Sequence, residues 1–92
     1  MKVIYKYLVP LTADFRLSLP PLAQVLSVQM QNGSPQMWVL QDANLANSTQ
    51  ERRFMVIGTG HQIPDNLSSV HHLGTFQMND GVFVWHVFEV MS

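Results

Sequence analysis

The 92 residues contain no cysteine. That excludes disulfide staples, thiolate nucleophiles and cysteine-ligated zinc. Charge is scarce as well: Asp, Glu, Lys and Arg make up 12% of the chain, about half the usual share of a soluble domain. Five Lys+Arg against six Asp+Glu leave a formal net charge of -1, so there is no basic field to hold nucleic acid. No apolar run approaches the roughly 20 residues of a membrane-spanning helix. The opening Met1-Lys2-Val3-Ile4-Tyr5-Lys6 has a second lysine where a secretion signal needs its apolar centre, and secretion is not expected. Glycine-rich nucleotide fingerprints and a Walker lysine are also missing.

What the chain does have is apolar content, 47% of residues, which excludes disorder. Its length fits one domain, a single β-rich unit over residues 1–92. With so few charges, eight Gln and five Asn carry much of the surface polarity. A protomer that hides part of its exterior in a partner or in a second copy would resolve this, and a homo-oligomer is expected.

The hydrophobic period is mostly two, the signature of strands. Val3–Leu8 is β-branched and aromatic. Phe15, Leu17 and Leu19 share a face of the next strand, which Pro20-Pro21 ends. Val25–Gln31 and Gln36–Gln41 flank Asn32-Gly33-Ser34-Pro35, a hairpin signal. Pairing Gln31 with Gln36 sets Met30 against Met37 and Val28 against Val39, leaving Trp38 on the other face. Asp42–Gln50 reads as a polar loop with room for a helical turn. Glu51–Ile57 is the next strand. Asp65 stands where it could cap a helical turn reaching Ser69. In the last hairpin, Asp80-Gly81 as a two-residue turn pairs Met78 with Phe83, Phe76 with Trp85, Gly74 with Val87 and His72 with Glu89. Leu73, Val84, His86 and Phe88 then occupy the opposite face, so both sides of this hairpin need cover. The expected fold is all-β: a small antiparallel sandwich or partly open barrel of about six strands with at most one short helical turn.

Chemistry is thin. The six carboxylates are isolated and no nucleophile elbow is present, so no catalytic residue and no cofactor are assigned. Of the four histidines, adjacent His71 and His72 point to opposite faces of a strand, while His71 and His86 share one. Without thiolates or a neighbouring carboxylate, no metal site is assigned. Trp38, Phe76, Phe83, Trp85 and Phe88 lack the interleaved cations of a nucleic-acid stacking platform and read as packing residues. The sharpest local feature is Arg52-Arg53 running through a strand into Gly58-Thr59-Gly60-His61. Glycines around a hydroxyl allow close approach of a ligand, and N–H groups of such turns cradle anions. Arg52, Arg53, Gly58, Thr59, Gly60 and His61 are therefore the candidate ligand site. Trp38, Leu73, Val84, His86 and Phe88 are the candidate interface.

Three segments form a distinctive set: Val56-Ile57-Gly58-Thr59-Gly60-His61-Gln62-Ile63-Pro64, His72-Leu73-Gly74-Thr75-Phe76-Gln77 and Phe83-Val84-Trp85-His86-Val87-Phe88-Glu89. With Leu26–Gly33 and the Tyr5-Lys6-Tyr7 opening, the chain resembles a family of small uncharacterised proteins encoded by bacteriophages and prophages. It departs from that pattern at Gln62, where a proline would follow the histidine. The resemblance carries no catalytic role. It implies a phage product acting in the bacterial host cytoplasm: a non-enzymatic accessory protein that sequesters or blocks a host component, either a defence protein or a nucleotide signal. A minor assembly protein of the virion and an enzyme acting on a small phosphorylated molecule are the alternatives.

Overall fold

The computed structural model describes residues 1–67 and 69–91. Seven strands form: β1 (Lys2–Leu8), β2 (Asp14–Leu19), β3 (Gln24–Gln31), β4 (Ser34–Asp42), β5 (Gln50–Gly58), β6 (Val70–Met78) and β7 (Phe83–Val90). A 3-10 turn, Ala43–Leu45, follows β4, its start capped by the Asp42 carboxylate accepting from Asn44 N–H. They build two antiparallel sheets, three strands in the order β1-β4-β3 and four in the order β2-β5-β7-β6. The sheets stack as a sandwich that does not close into a barrel. β5 and β6 both run antiparallel to β7, so the 59–69 link is a crossover along the length of the sheet.

Alternation decides which side of each strand is buried. Phe15 and Leu19 of β2, Phe54 and Val56 of β5, Phe76 of β6 and Val87 of β7 meet Val28, Met37 and Val39 of the smaller sheet, with Val9 and Ala23 from the connections. Phe15 stands opposite Phe54 in register, and their rings stack at 5.1 Å. Each buried ring of this size contributes on the order of 2–3 kcal/mol of transfer free energy.

The first hairpin corrects the expected register by two residues. Gln31 pairs with Ser34, Met30 with Pro35 and Val28 with Met37. Asn32 and Gly33 both take positive φ (51° and 81°), the geometry of a two-residue turn matched to strand twist. Pro35 lies inside β4 because its missing N–H points away from β3. Its carbonyl instead accepts from Val9 N–H at 2.9 Å, where β1 has just ended.

The last hairpin follows the expected register from Met78↔Phe83 to Gly74↔Val87, and then slips. A bulge between His72 and Gly74 pairs His72 with Phe88 and His71 with Glu89. His72 therefore does not face Glu89. Beside the bulge the two sheets come close: a Cβ on Gly74 would stand 2.9 Å from Val28 Cβ. β6 and β3 approach too closely there for any side chain. At Asp65-Asn66 there is a turn, with Leu67 N–H donating to Pro64 O at 3.4 Å, in place of a capped helical turn; Ser68 lies outside the described residues.

Candidate functional site

The larger sheet turns one face to the core and the other outward. Trp85, Val87 and Glu89 of β7 point inward, so Val84, His86, Phe88 and Val90 point out. Register places Ile57 beside His86 and Met55 beside Phe88, and both residues are buried even though they face away from the core. On the other flank His86 neighbours Thr75, and Phe88 neighbours His72. The bulge matters here. It adds a residue to β6, so His72 and Thr75, three apart, lie on one face rather than on opposite ones.

These residues make one hydrogen-bonded chain. Thr59 Oγ1 lies 2.7 Å from His86 Nε2, Thr75 Oγ1 3.0 Å from His86 Nδ1, and His72 Nε2 3.1 Å from Thr75 Oγ1. The His72 ring meets Phe88 edge-on at 5.2 Å. Both nitrogens of His86 are thus held by hydroxyls, which donate or accept equally well. The chain tolerates either tautomer of a neutral imidazole. Among the described residues no group of three His, Asp or Glu side chains could hold a metal ion.

The predicted ligand residues fall in two places. Arg52 and Arg53 lie near the start of β5 and Gly58–His61 at its end, about 17 Å apart at strand rise. Arg52 faces inward and gives bidentate hydrogen bonds to Glu89 at 2.6 and 2.7 Å. Its third bond, to Ala23 O at 2.6 Å, ties the larger sheet to the β2–β3 connection. Arg53 faces outward and forks onto Asp14, the shortest bond being 2.6 Å. Arg53's hydrogen bonds, with its charge, hold the Asp14 carboxyl below its ordinary range. Around these guanidiniums lies an open depression of about 400 Å³, lined by Arg16, Glu51, Arg52, Arg53, Glu89, Val90 and Met91. Its two carboxylates take up most of the cationic charge.

The turn has structural uses for its glycines. Gly60 has φ +86°, and a Cβ on Gly58 would sit 2.8 Å from the His61 ring and 3.1 Å from Trp85. His61 thus folds back along the chain toward the edge of Trp85, ring centroids 6.3 Å apart. The N–H of Thr59 is given to Val84 O and that of His61 to Gly58 O, both at 3.0 Å. Two of the turn's donors are therefore spent within the fold, which leaves a poor cradle for an anion.

The predicted interface set divides as well. Val84, His86 and Phe88 share the outer face of the larger sheet. Leu73 is turned by the bulge toward the core it packs on. Trp38 belongs to the other sheet, on its outer face. The residues that belong to neither predicted set are His72 and Thr75. Thr75 stands opposite His86 in the register that Asp80-Gly81 alone predicts; placing His72 beside it requires the bulge, whose only trace in the chain is Gly74.

Fold and site together define a small two-sheet β protein carrying a chain of hydroxyls and imidazoles beside an apolar strip on the outer face of its larger sheet. The family model described as Domain of unknown function (DUF7352) matches residues 1–92, and the chain belongs to that family. No curated protein and no solved structure matches the chain.

Proposed function

We propose that the protein works by binding, and that the outer face of the larger sheet receives a protein partner. One observation carries this reading. Val84, His86, Phe88 and Val90, half-buried and flanked by buried Met55 and Ile57, form an apolar strip along a fixed chain of hydroxyls and imidazoles, with the Arg53–Asp14 ion pair at its rim. Aromatic and apolar residues around a few oriented hydrogen-bonding groups are what a specific interface requires. The resemblance to phage proteins favours a host component as the partner, met in the bacterial cytoplasm. A defence protein fits this face better than a nucleotide signal, because Arg52 and Arg53 are already committed to carboxylates.

The 2.7 Å contact between Thr59 and His86 favours a second reading. Thr59, His86 and Thr75 follow the order nucleophile, base and orienting group. Against it, the amide of Thr59 donates to Val84 O and so does not supply the oxyanion donor of an acyl transfer.

Affinity isolation from expressing bacteria separates the two, with wild type, Phe88→Asp and Thr59→Val compared at equal melting temperature. Binding predicts a partner kept by wild type and by Thr59→Val and lost by Phe88→Asp. A partner retained by all three, and recovered chemically altered with every variant except Thr59→Val, would replace binding by catalysis.

A further inference from the structure

The backbone of β1 has one side paired with β4 and the other side open. Which groups face the open side follows from two hydrogen bonds. Val9 N–H donates to Pro35 O, and Ala43 N–H to Met1 O, both at 2.9 Å. β1 and β4 residue numbers sum to 44 across the ladder, so the odd residues of β1 make its bonds to β4. The even residues, Lys2, Ile4, Lys6 and Leu8, direct four N–H and four C=O groups off the edge of the sheet.

We propose that this edge pairs with the same edge of a second copy, antiparallel about a two-fold axis through Tyr5. In that register Lys2 meets Leu8 of the second copy, and Ile4 meets its Lys6. The four pairs exchange eight hydrogen bonds, which uses every open group on both strands. Charge selects this register from its neighbours. A shift of the axis to Ile4 sets Lys2 against Lys6, and a shift to Lys6 sets two lysines face to face, and like charges directly opposite are destabilising. In the Tyr5 register no lysine stands opposite a lysine. Tyr5 meets Tyr5 across the axis, and Val3 meets Tyr7, on the close-set pairs where aromatic and β-branched side chains pack best. Ile4 is 55% exposed, Tyr5 51% and Leu8 59% in the single chain, so there is apolar surface to cover on both faces.

The other edges are less open to such pairing. β3 carries a bulge between Val25 and Ser27, and β6 one between His72 and Gly74. Bulges guard edges by twisting them away. On β2 an axis through Arg16 sets Arg16 against Arg16, and the charged residues there already bind β5, Arg16 to Glu51 and Arg53 to Asp14. On β1 the guard would be lysine, yet Lys6 Nζ donates to Gln31 Oε1 at 2.7 Å. That bond draws it across the sheet toward β3 instead of out over the edge. The result is a six-stranded sheet shared by two chains, an isologous closed dimer. It lies on the smaller sheet and does not depend on the binding face proposed above.

Because the protein has no cysteine, one substitution gives one defined cross-link. Close-set antiparallel partners stand about 4.5 Å apart at Cα, within disulfide reach. Under mild oxidation Tyr5→Cys should convert almost wholly to a covalent dimer, while Ser18→Cys and Phe88→Cys stay mostly single chains. Sedimentation should give twice the 10.5 kDa chain mass for wild type. Ile4→Pro removes one edge N–H without touching the ladder to β4, and it should lower the dimer fraction at least tenfold with the circular dichroism spectrum unchanged. A wild-type monomer at all attainable concentrations would overturn the proposal. So would Tyr5→Cys cross-linking no better than Ser18→Cys, or a dimer cross-linked through Phe88→Cys instead.

Discussion

Arg52 shows how a sequence-conspicuous residue is given over to structure. Its partner Glu89 is 6% exposed, and a carboxylate so placed needs its counter-charge. Arg52→Ala should cost about 3–5 kcal/mol by leaving that charge buried alone. Replacing both partners by apolar residues, as in Arg52→Met with Glu89→Leu, should recover most of the loss. Urea unfolding measures both, and a single-variant loss under about 1 kcal/mol, the size of an exposed pair, would contradict this role. Asp14 and Arg53 form the milder, more exposed version. Hydrogen bonds from Arg53 lower the Asp14 pKa foremost, opposed by desolvation and aided by the charges of Arg53 and Arg16. A folded pKa below the unfolded one stabilises the fold fully above the unfolded value of 3.8, and the gain fades as pH falls through the folded value. Asp14→Asn should therefore be less stable than wild type at neutral pH, by about 0.2–1 kcal/mol, and equal to it in strong acid. A gap that widened on acidification would reverse the sign. Leu22 is the strained residue. It holds φ 64° in the turn closed by Ala23 N–H donating to Pro20 O, a position that suits glycine. Leu22→Gly should raise stability by about 0.5–1 kcal/mol, the left-handed penalty less glycine's entropy, and a lower melting temperature would contradict it.

At the scale of elements, the bulge in β6 is the feature on which the site depends. Gly74 lets Val28 approach, and the extra residue swings His72 beside Phe88 and in line with Thr75 and His86. Gly74→Ala should push β3 from β6 and cost about 1–3 kcal/mol, as overpacking does. It should also weaken the His72–Thr75 contact, read as a change in the imidazole ¹⁵N shifts of His72. Unchanged stability would mean that the sheets yield more easily than the 2.9 Å approach implies. The outer part of this hairpin is legible from Asp80-Gly81 and alternation, and the structure follows it to Gly74↔Val87. The bulge is not legible, because the close approach beside it is to a strand more than 40 residues earlier in the chain. The first hairpin was obscured by Pro35, which reads as a strand breaker unless the direction of its missing N–H is known. The partners of the two arginines are not legible for a related reason: Glu89 and Asp14 neighbour Arg52 and Arg53 only after the sheets form.

Taken whole, the molecule is two stacked sheets with a Cα envelope of 40 × 35 × 16 Å, so its outer faces are a large part of what it can present. The scarcity of charge has a physical use on the larger sheet, where the strip around His86 and Phe88, with the Arg53–Asp14 ion pair only at its rim, is cheaper to desolvate than a charged one. The central claim is that this face is the working surface. Site-specific photo-cross-linking tests it most directly, with a benzophenone side chain placed at Val84 on that face, or at Gln29 on the outer face of the smaller sheet as a control, in producing bacteria. A discrete adduct of higher mass is expected from position 84, lost when Phe88→Asp is added, and none from position 29. Equal adducts from both positions, or an adduct at 84 indifferent to Phe88→Asp, would contradict it.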